Sequence, residues 1–218
     1  EKEVNNAESK IWNLFEITDS NLFGKNYYTH ILWSLERLFC EEELVVRAIK
    51  IVVKLAERKG NYKISNSPMT TLYEALSARH HQINLDIDDK CELVEQIVED
   101  SSIGWEIIES LLPERHNHGI VGNFNYYKYR PYEIRYELKY VKELLKMYKK
   151  YTSIAIDAAG NNLSKWSLIL GKCLFIDLGL FDFVKTKLRD IIPRIESDEE
   201  KYVFKETLRE LIYKHRYY

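Results

Sequence analysis

The stretch from Cys40 to Gly60, "CEEELVVRAIKIVVKLAERKG", limits what this chain can fold into more than any other. Leu44, Val45, Ala48, Ile49, Val52, Val53, Leu55 and Ala56 recur at three- and four-residue steps, the period of an α-helix and not of a strand. A stripe this wide needs cover on more than one side, so the helix belongs at the centre of a core made of other helices. Glu41, Glu42 and Glu43 suit its first turn and Arg58 and Lys59 its last, by complementing the helix dipole, and Gly60 supplies the stop. Three successive acids here are read as a helix start, not as a metal site.

The same period runs through most of the chain, and the residues that interrupt helices are scarce, with 8 Gly and 4 Pro in 218 residues. A first helix is expected over Ala7–Ile17, crowding Ile11, Trp12, Leu14 and Phe15 onto one side. A second, over Tyr27–Phe39, does so with Ile31, Leu32, Leu35 and Leu38, widened by Tyr28 and Trp33. After the loop "NYKISNSP", Pro68 opens a short helix through Leu76, at a position where a missing N–H costs nothing. Asp89 and Glu92 form a capping box ahead of Leu93, Val94, Ile97 and Val98. A helix over Ser102–Leu112, with Trp105, Ile108 and Leu111 in phase, is closed by Pro113.

Beyond the irregular "ERHNHGIVGNFNYYKYRP", a long helix over Tyr132–Ala159, broken near Thr152, lines up Tyr136, Tyr140, Leu144, Met147 and Tyr151. Helices over Leu163–Leu178 and Phe181–Ile192 follow, and Ser197 with Glu200 caps a last one. The expected fold is all-α, an α-solenoid or repeat-like array of antiparallel helix pairs. Two modules are expected, residues 1–125 and 126–218, the second continuous with the first.

Composition narrows the function classes. Apolar residues make up 45% and charged residues 30% of the chain, the balance of a globular protein and not of a disordered one. The net charge of −2 hides an asymmetry. Residues 1–115 hold 13 basic and 21 acidic side chains (−8), and residues 116–218 hold 19 and 13 (+6). Such polarity orients partners or neighbouring domains without identifying them. No run reaches the roughly 18 apolar residues of a membrane span, and no signal-peptide pattern opens the chain. Cys40, Cys91 and Cys173 are odd in number and widely spaced in apolar helical patterns, which suits a reducing cytoplasm. A start at Glu1 without Met marks the expectation of a segment from a larger protein.

Searches for reactive constellations return little. "GKC" at Gly171–Cys173 has the Gly-Lys of a phosphate loop, but Cys follows and Trp166 stands where the earlier Gly belongs. His116 and His118, near Glu114, offer ligand atoms without a second cluster to complete a metal site. His80 and His81 are adjacent and point apart on a helix. The three cysteines read as buried thiols with no base beside them. The expectation is a segment without catalysis, cofactor or metal.

"YYKYRPYEIRYELKYVKELLKMYKKY", Tyr126–Tyr151, carries eight Lys or Arg against three Glu among many tyrosines. Basic groups beside aromatic platforms are what single-stranded nucleic acid binding uses. The four-residue steps of Tyr136, Tyr140 and Leu144 equally describe a packing stripe, with Lys139, Lys142, Lys146 and Lys149 on the solvated side. A partner protein with an acidic patch fits the same residues.

Several elements in order resemble a module from the C-terminal helical region of large bacterial proteins, among them STAND-type NTPases linked to antiviral defence. The matching residues are Leu32, Trp33, Leu35, Glu36 and Leu38; Gly60, Asn61, Asn66 and Pro68; Gly104 and Trp105; Leu111, Leu112 and Pro113; and Arg130 with Pro131. The resemblance spans residues 32–131, a little under half the chain. Tyr62 stands where the pattern has Trp, Ser67 precedes the proline, and "SARHHQ" replaces a Pro-Trp segment. The resemblance implies a nucleotide-binding core and an effector upstream, and a sensor region here that engages a foreign protein and licenses oligomerisation.

The expected contact surface is therefore external, and its expected partner is a protein, other domains of the same chain included, with no membrane involved. Asn61 and Asn66 in one loop and Tyr126, Tyr127, Lys128 and Arg130 in the other are the candidate contacts, because irregular backbone between rigid helices commonly presents specificity groups. The alternative is a nucleic-acid-binding module using Lys128, Arg130, Arg135, Lys139 and Lys142.

Overall fold

A computed structural model describes residues 6, 8–14, 27–58, 67–78, 83–113, 141–173 and 180–216. The described residues form nine α-helices joined by turns and short 3₁₀ segments, with no strand among them. The architecture is an all-α helical array. Its contacts divide into two units, the described residues up to Ile107 in the first and those from Ile108 onward in the second.

In the first unit a 3₁₀ turn, Lys10–Leu14, precedes α1 (Tyr27–Arg37), α2 (Val45–Glu57), α3 (Pro68–Leu76), α4 (Ile87–Asp100) and the start of α5 (Gly104–Leu111). The expected centrality of α2 holds: it packs against α1, α3 and α4. Val45, Ala48, Ile49, Val52, Val53, Leu55 and Ala56 are all buried. Each large side chain among these contributes about 1.5–3 kcal/mol by leaving water.

Several boundaries move for identifiable reasons. The acids Glu41–Glu43 lie outside α2: Leu38–Cys40 form a 3₁₀ turn, Glu41 is extended (φ −97°, ψ 112°), and the α-helix starts at Val45. Arg58 is the residue after the last turn and lays its guanidinium 3.7 Å from the centre of the Trp12 ring, a cation–π contact. Trp12 is buried as expected, but on a 3₁₀ turn in place of the α-helix expected there, and its Nε1 donates to the carbonyl of Asn6 (2.9 Å).

The cap of α4 is Asp86, whose carboxylate accepts the N–H of Asp89 (2.8 Å), so Asp89 belongs to the first turn and is not itself the cap. α3 starts and ends where expected, with Ser67 accepting the N–H of Thr70 (3.1 Å) and Pro68 in first position.

The joint between α2, α4 and α5 is closed by Glu57. One carboxylate oxygen accepts from the Ser101 hydroxyl (2.7 Å) and the Ser102 N–H (3.3 Å), and the other from Lys54 (2.8 Å). Partial burial pushes this carboxyl up, but the hydrogen bonds from Lys54 and Ser101, with the Lys54 charge, outweigh it and leave the group below its ordinary value. Gly104 makes the turn between α4 and α5 possible. A Cβ there would stand 2.8 Å from the Val98 Cα, so the backbone of α4 or α5 would have to shift to admit it.

The second unit contains α6 (Val141–Ala159), α7 (Leu163–Cys173), α8 (Leu180–Ile191), a 3₁₀ turn (Ile192–Arg194) and α9 (Asp198–Arg216). α7 packs against α6, α8 and α9, and α8 against α6. α6 is continuous through Thr152, where a break was expected. Thr152 is fully buried and its hydroxyl lies 3.9 Å from the Cys173 Sγ of α7. The helix stops at Gly160, the described residue with positive φ (+50°), a left-handed cap that glycine adopts without steric cost. Trp166, fully buried, donates from Nε1 to the Gly160 carbonyl (2.8 Å) and locks that turn. Ser197 caps α9 as expected by accepting the Glu200 N–H (3.2 Å).

Candidate interaction surface

Two charged side chains enter the first unit's core, and both sit on positions that the helical period assigns to the apolar stripe. Glu36 is 5% exposed and follows Leu32 by one turn of α1; it accepts the Thr71 hydroxyl of α3 at 2.7 Å. Lys90 has no solvent exposure and shares a stripe with Val94 and Ile97 of α4. Its Nζ donates to the carbonyl of Ser77, the residue capping α3, at 2.9 Å. The nine-residue α3 is thus held from α1 at Thr71 and from α4 at its end. Burial pushes the Lys90 amine down to about 7. Glu74, also on α3, is raised by burial and by the Glu36 charge. The Glu36–Thr71 and Lys90–Ser77 hydrogen bonds are buried and hold α3 in place.

One outward surface of the first unit is the opposite face of α1. His30, Trp33, Ser34 and Arg37 lie at i, i+3, i+4 and i+7 and are all exposed. Trp33 is 46% exposed, contrary to its expected role in widening the apolar face, and the His30 ring meets it edge-on at 5.7 Å (interplanar angle 87°). It lies about 100° around the helix from Leu32, too far to join the buried stripe.

In the second unit α6 separates the two ingredients of the basic-aromatic stretch. Lys142, Lys146, Lys149 and Lys150 are exposed, while Met147, Tyr148 and Tyr151 are buried, the last completely. Lys142, Lys146 and Lys149 form the expected solvated side, while Lys139 lies outside the described residues. The tyrosines described here are core, so they offer no platform to a base.

The other named candidates, Asn61, Asn66, Tyr126, Tyr127, Lys128, Arg130, Arg135 and Lys139, lie outside the described residues, as do His80, His81, His116 and His118. Among the described residues no group of three or more His, Cys, Asp or Glu side chains has the arrangement to hold a metal ion. None of the described helices is long and apolar enough to cross a membrane. Cys91 and Cys173 are buried and Cys40 is half-buried. Burial pushes the Cys173 thiol up to about 11, against only small opposing help from Thr152 and Lys172, so at neutral pH it is not a thiolate.

The fold thus defines an all-helical array whose described surfaces are helix faces. No protein-family model matches the chain, and no curated protein or solved structure matches it either.

Proposed function

We propose that this chain is a non-catalytic recognition region, of the kind implied by its resemblance to the helical C-terminal part of bacterial STAND-type NTPases, and that it binds a foreign protein through its exterior. The observation that carries this reading is Trp33. Tryptophan held half in water beside a histidine ring, one turn from Arg37, is the composition of an interface anchor, since Trp and Arg dominate binding energy where it has been apportioned. The residue belongs to the Leu-Trp-x-Leu-Glu element on which the resemblance starts, and its neighbours Leu32 and Glu36 hold the helix in the core while it faces out. The immobilised 218-residue chain, exposed to lysates of phage-infected and uninfected bacteria, is expected to retain a phage-encoded protein that Trp33→Ala no longer retains. Identical capture by both proteins from both lysates rejects the reading.

A second reading is favoured by the lysine row on α6. Lys142, Lys146 and Lys149 follow one helix face at i, i+4 and i+7, a spacing able to track phosphates. Binding of single-stranded oligonucleotide that weakens steeply with salt, and that drops on Lys146→Glu, selects this reading over the first.

A further inference from the structure

α9 packs on α7, its Phe204 is buried, and a different set of its residues is exposed. Tyr202 is 65% and Tyr213 63% exposed, and between them the Glu206 and Arg209 side chains are 41% and 62% exposed. Their spacing is four, three, four. At 3.6 residues per turn these four lie within about 60° of one another, on the side away from Phe204. This is the seam spacing of a two-stranded helical pair. Val203, 59% exposed, and Ile212, 51% exposed, flank the seam on its two sides.

The order of the four residues is self-complementary. Laid antiparallel on an identical helix and centred between Thr207 and Leu208, Tyr202 meets Tyr213, and Glu206 meets Arg209. Within one chain Glu206 and Arg209 already pair at 2.5 Å, so both charges are held over the middle of the face. A parallel pairing fails because it sets glutamate on glutamate and arginine on arginine, and like charges brought together are repulsive.

We propose that α9 is a homotypic docking surface, pairing antiparallel with α9 of a second copy of this chain about a two-fold axis between Thr207 and Leu208. Such an isologous contact closes on itself and gives a dimer, not a fibre. The tyrosine layers supply aromatic contact at both ends, and the Glu206–Arg209 pairs set direction and register. The seam from Tyr202 to Tyr213 is only about 17 Å long. It covers much less than the roughly 1,600 Å² of a standard stable interface, so the dimer is a weak, concentration-dependent one. This surface is independent of the Trp33 reading: it lies in the other unit and uses different residues.

Sedimentation velocity on the full 218-residue chain, from about 10 to about 500 µM, is expected to show reversible dimerisation. Glu206→Arg presents arginine at both central positions and Arg209→Glu presents glutamate at both. Each variant alone is expected to self-associate at least about 10-fold more weakly than the native chain. Mixed in equal amounts, every arginine meets a glutamate, and a heterodimer forms with affinity near the native one. Because both variants lose the same contact within the helix, this rescue has no explanation in folding, and far-UV circular dichroism verifies that each stays helical. A native chain that remains monomeric throughout, variants that dimerise as well as the native chain, or a mixture that shows no recovery each overturn the proposal.

Discussion

The Lys90 amine lies 2.9 Å from the Ser77 carbonyl oxygen with no part of the lysine open to solvent, so α4 holds the end of α3 through an ionisable group buried in the core. Its consequence is a pH dependence of unusual sign. In the unfolded chain the amine keeps its ordinary value of 10.5; in the folded chain burial brings it to about 7. Below the folded value both states carry the charge and the burial penalty is fully present. Between the two values the unfolded chain holds more protons, so stability rises with pH, by about 1.4 kcal/mol per unit. From pH 6.5 to pH 9 the native protein should gain roughly 2.5 kcal/mol relative to Lys90→Met, which lacks the titrating group. Urea unfolding of both proteins at the two pH values measures the difference, and parallel pH dependence would show that the amine is not desolvated as described.

Glu36 and Thr71 make the second grip on α3. Thr71→Val keeps the shape but removes the hydroxyl that donates to a buried carboxylate, and is expected to cost about 1–3 kcal/mol. Glu36→Gln retains an acceptor for Thr71 while removing the charge. The Glu74 carboxyl, raised by burial and then by Glu36, should move downward in that variant. Side-chain carbonyl NMR titration reads this shift, and an unchanged Glu74 would mean that Glu36 does not act on it.

Gly104→Ala places a methyl group against the Val98 backbone, with 2.8 Å to its Cα. Separating α4 from α5 to admit it would disturb the Ser101 and Ser102 contacts with Glu57 at the same joint. A loss of about 1–3 kcal/mol in denaturant unfolding is expected, as for other overpacked positions. Gly171→Ala serves as the control: a Cβ there lies 3.6 Å from the flexible end of Leu211, an ordinary contact.

These positions show what periodicity conveys and what it hides. The buried stripe of α2 and the limits of α3 follow from spacing and from Pro68, because a wide apolar stripe and a proline leave one arrangement open. Glu36 and Lys90 also stand on stripe positions, but a pattern scored by apolar residues passes over charges, and only the Thr71 and Ser77 partners reveal how they are satisfied. Asp86, Asp88 and Asp89 offer competing caps, and the choice of Asp86 depends on its extended backbone (φ −71°, ψ 175°), which sequence does not display. Trp33 faces out although tryptophan is commonly core, and its offset of about 100° from Leu32 is the signal for this in the sequence. In sequence the α9 seam is indistinguishable from any solvated face, because two tyrosines and an ion pair take on meaning only with the exposure of each. The candidates Asn61, Asn66, Tyr126, Tyr127, Lys128, Arg130, Arg135 and Lys139 lie outside the described residues and rest on the sequence pattern.

Trp33 and Trp166 should separate binding from stability. Trp166 is fully buried on α7, donates to the Gly160 carbonyl, and fills the space beside the turn that ends α6. Trp166→Ala is expected to lose about 3–5 kcal/mol, through both the cavity and the abandoned carbonyl. Trp33 is 46% exposed, with the His30 ring as its described aromatic neighbour. Trp33→Ala should therefore change stability by no more than about 0.5 kcal/mol, the range of ordinary surface substitutions. Differential denaturant unfolding of the two variants tests the contrast. If Trp33→Ala destabilises the chain as severely as Trp166→Ala, the indole is a structural contact, and the case for α1 as the recognition face is lost with it.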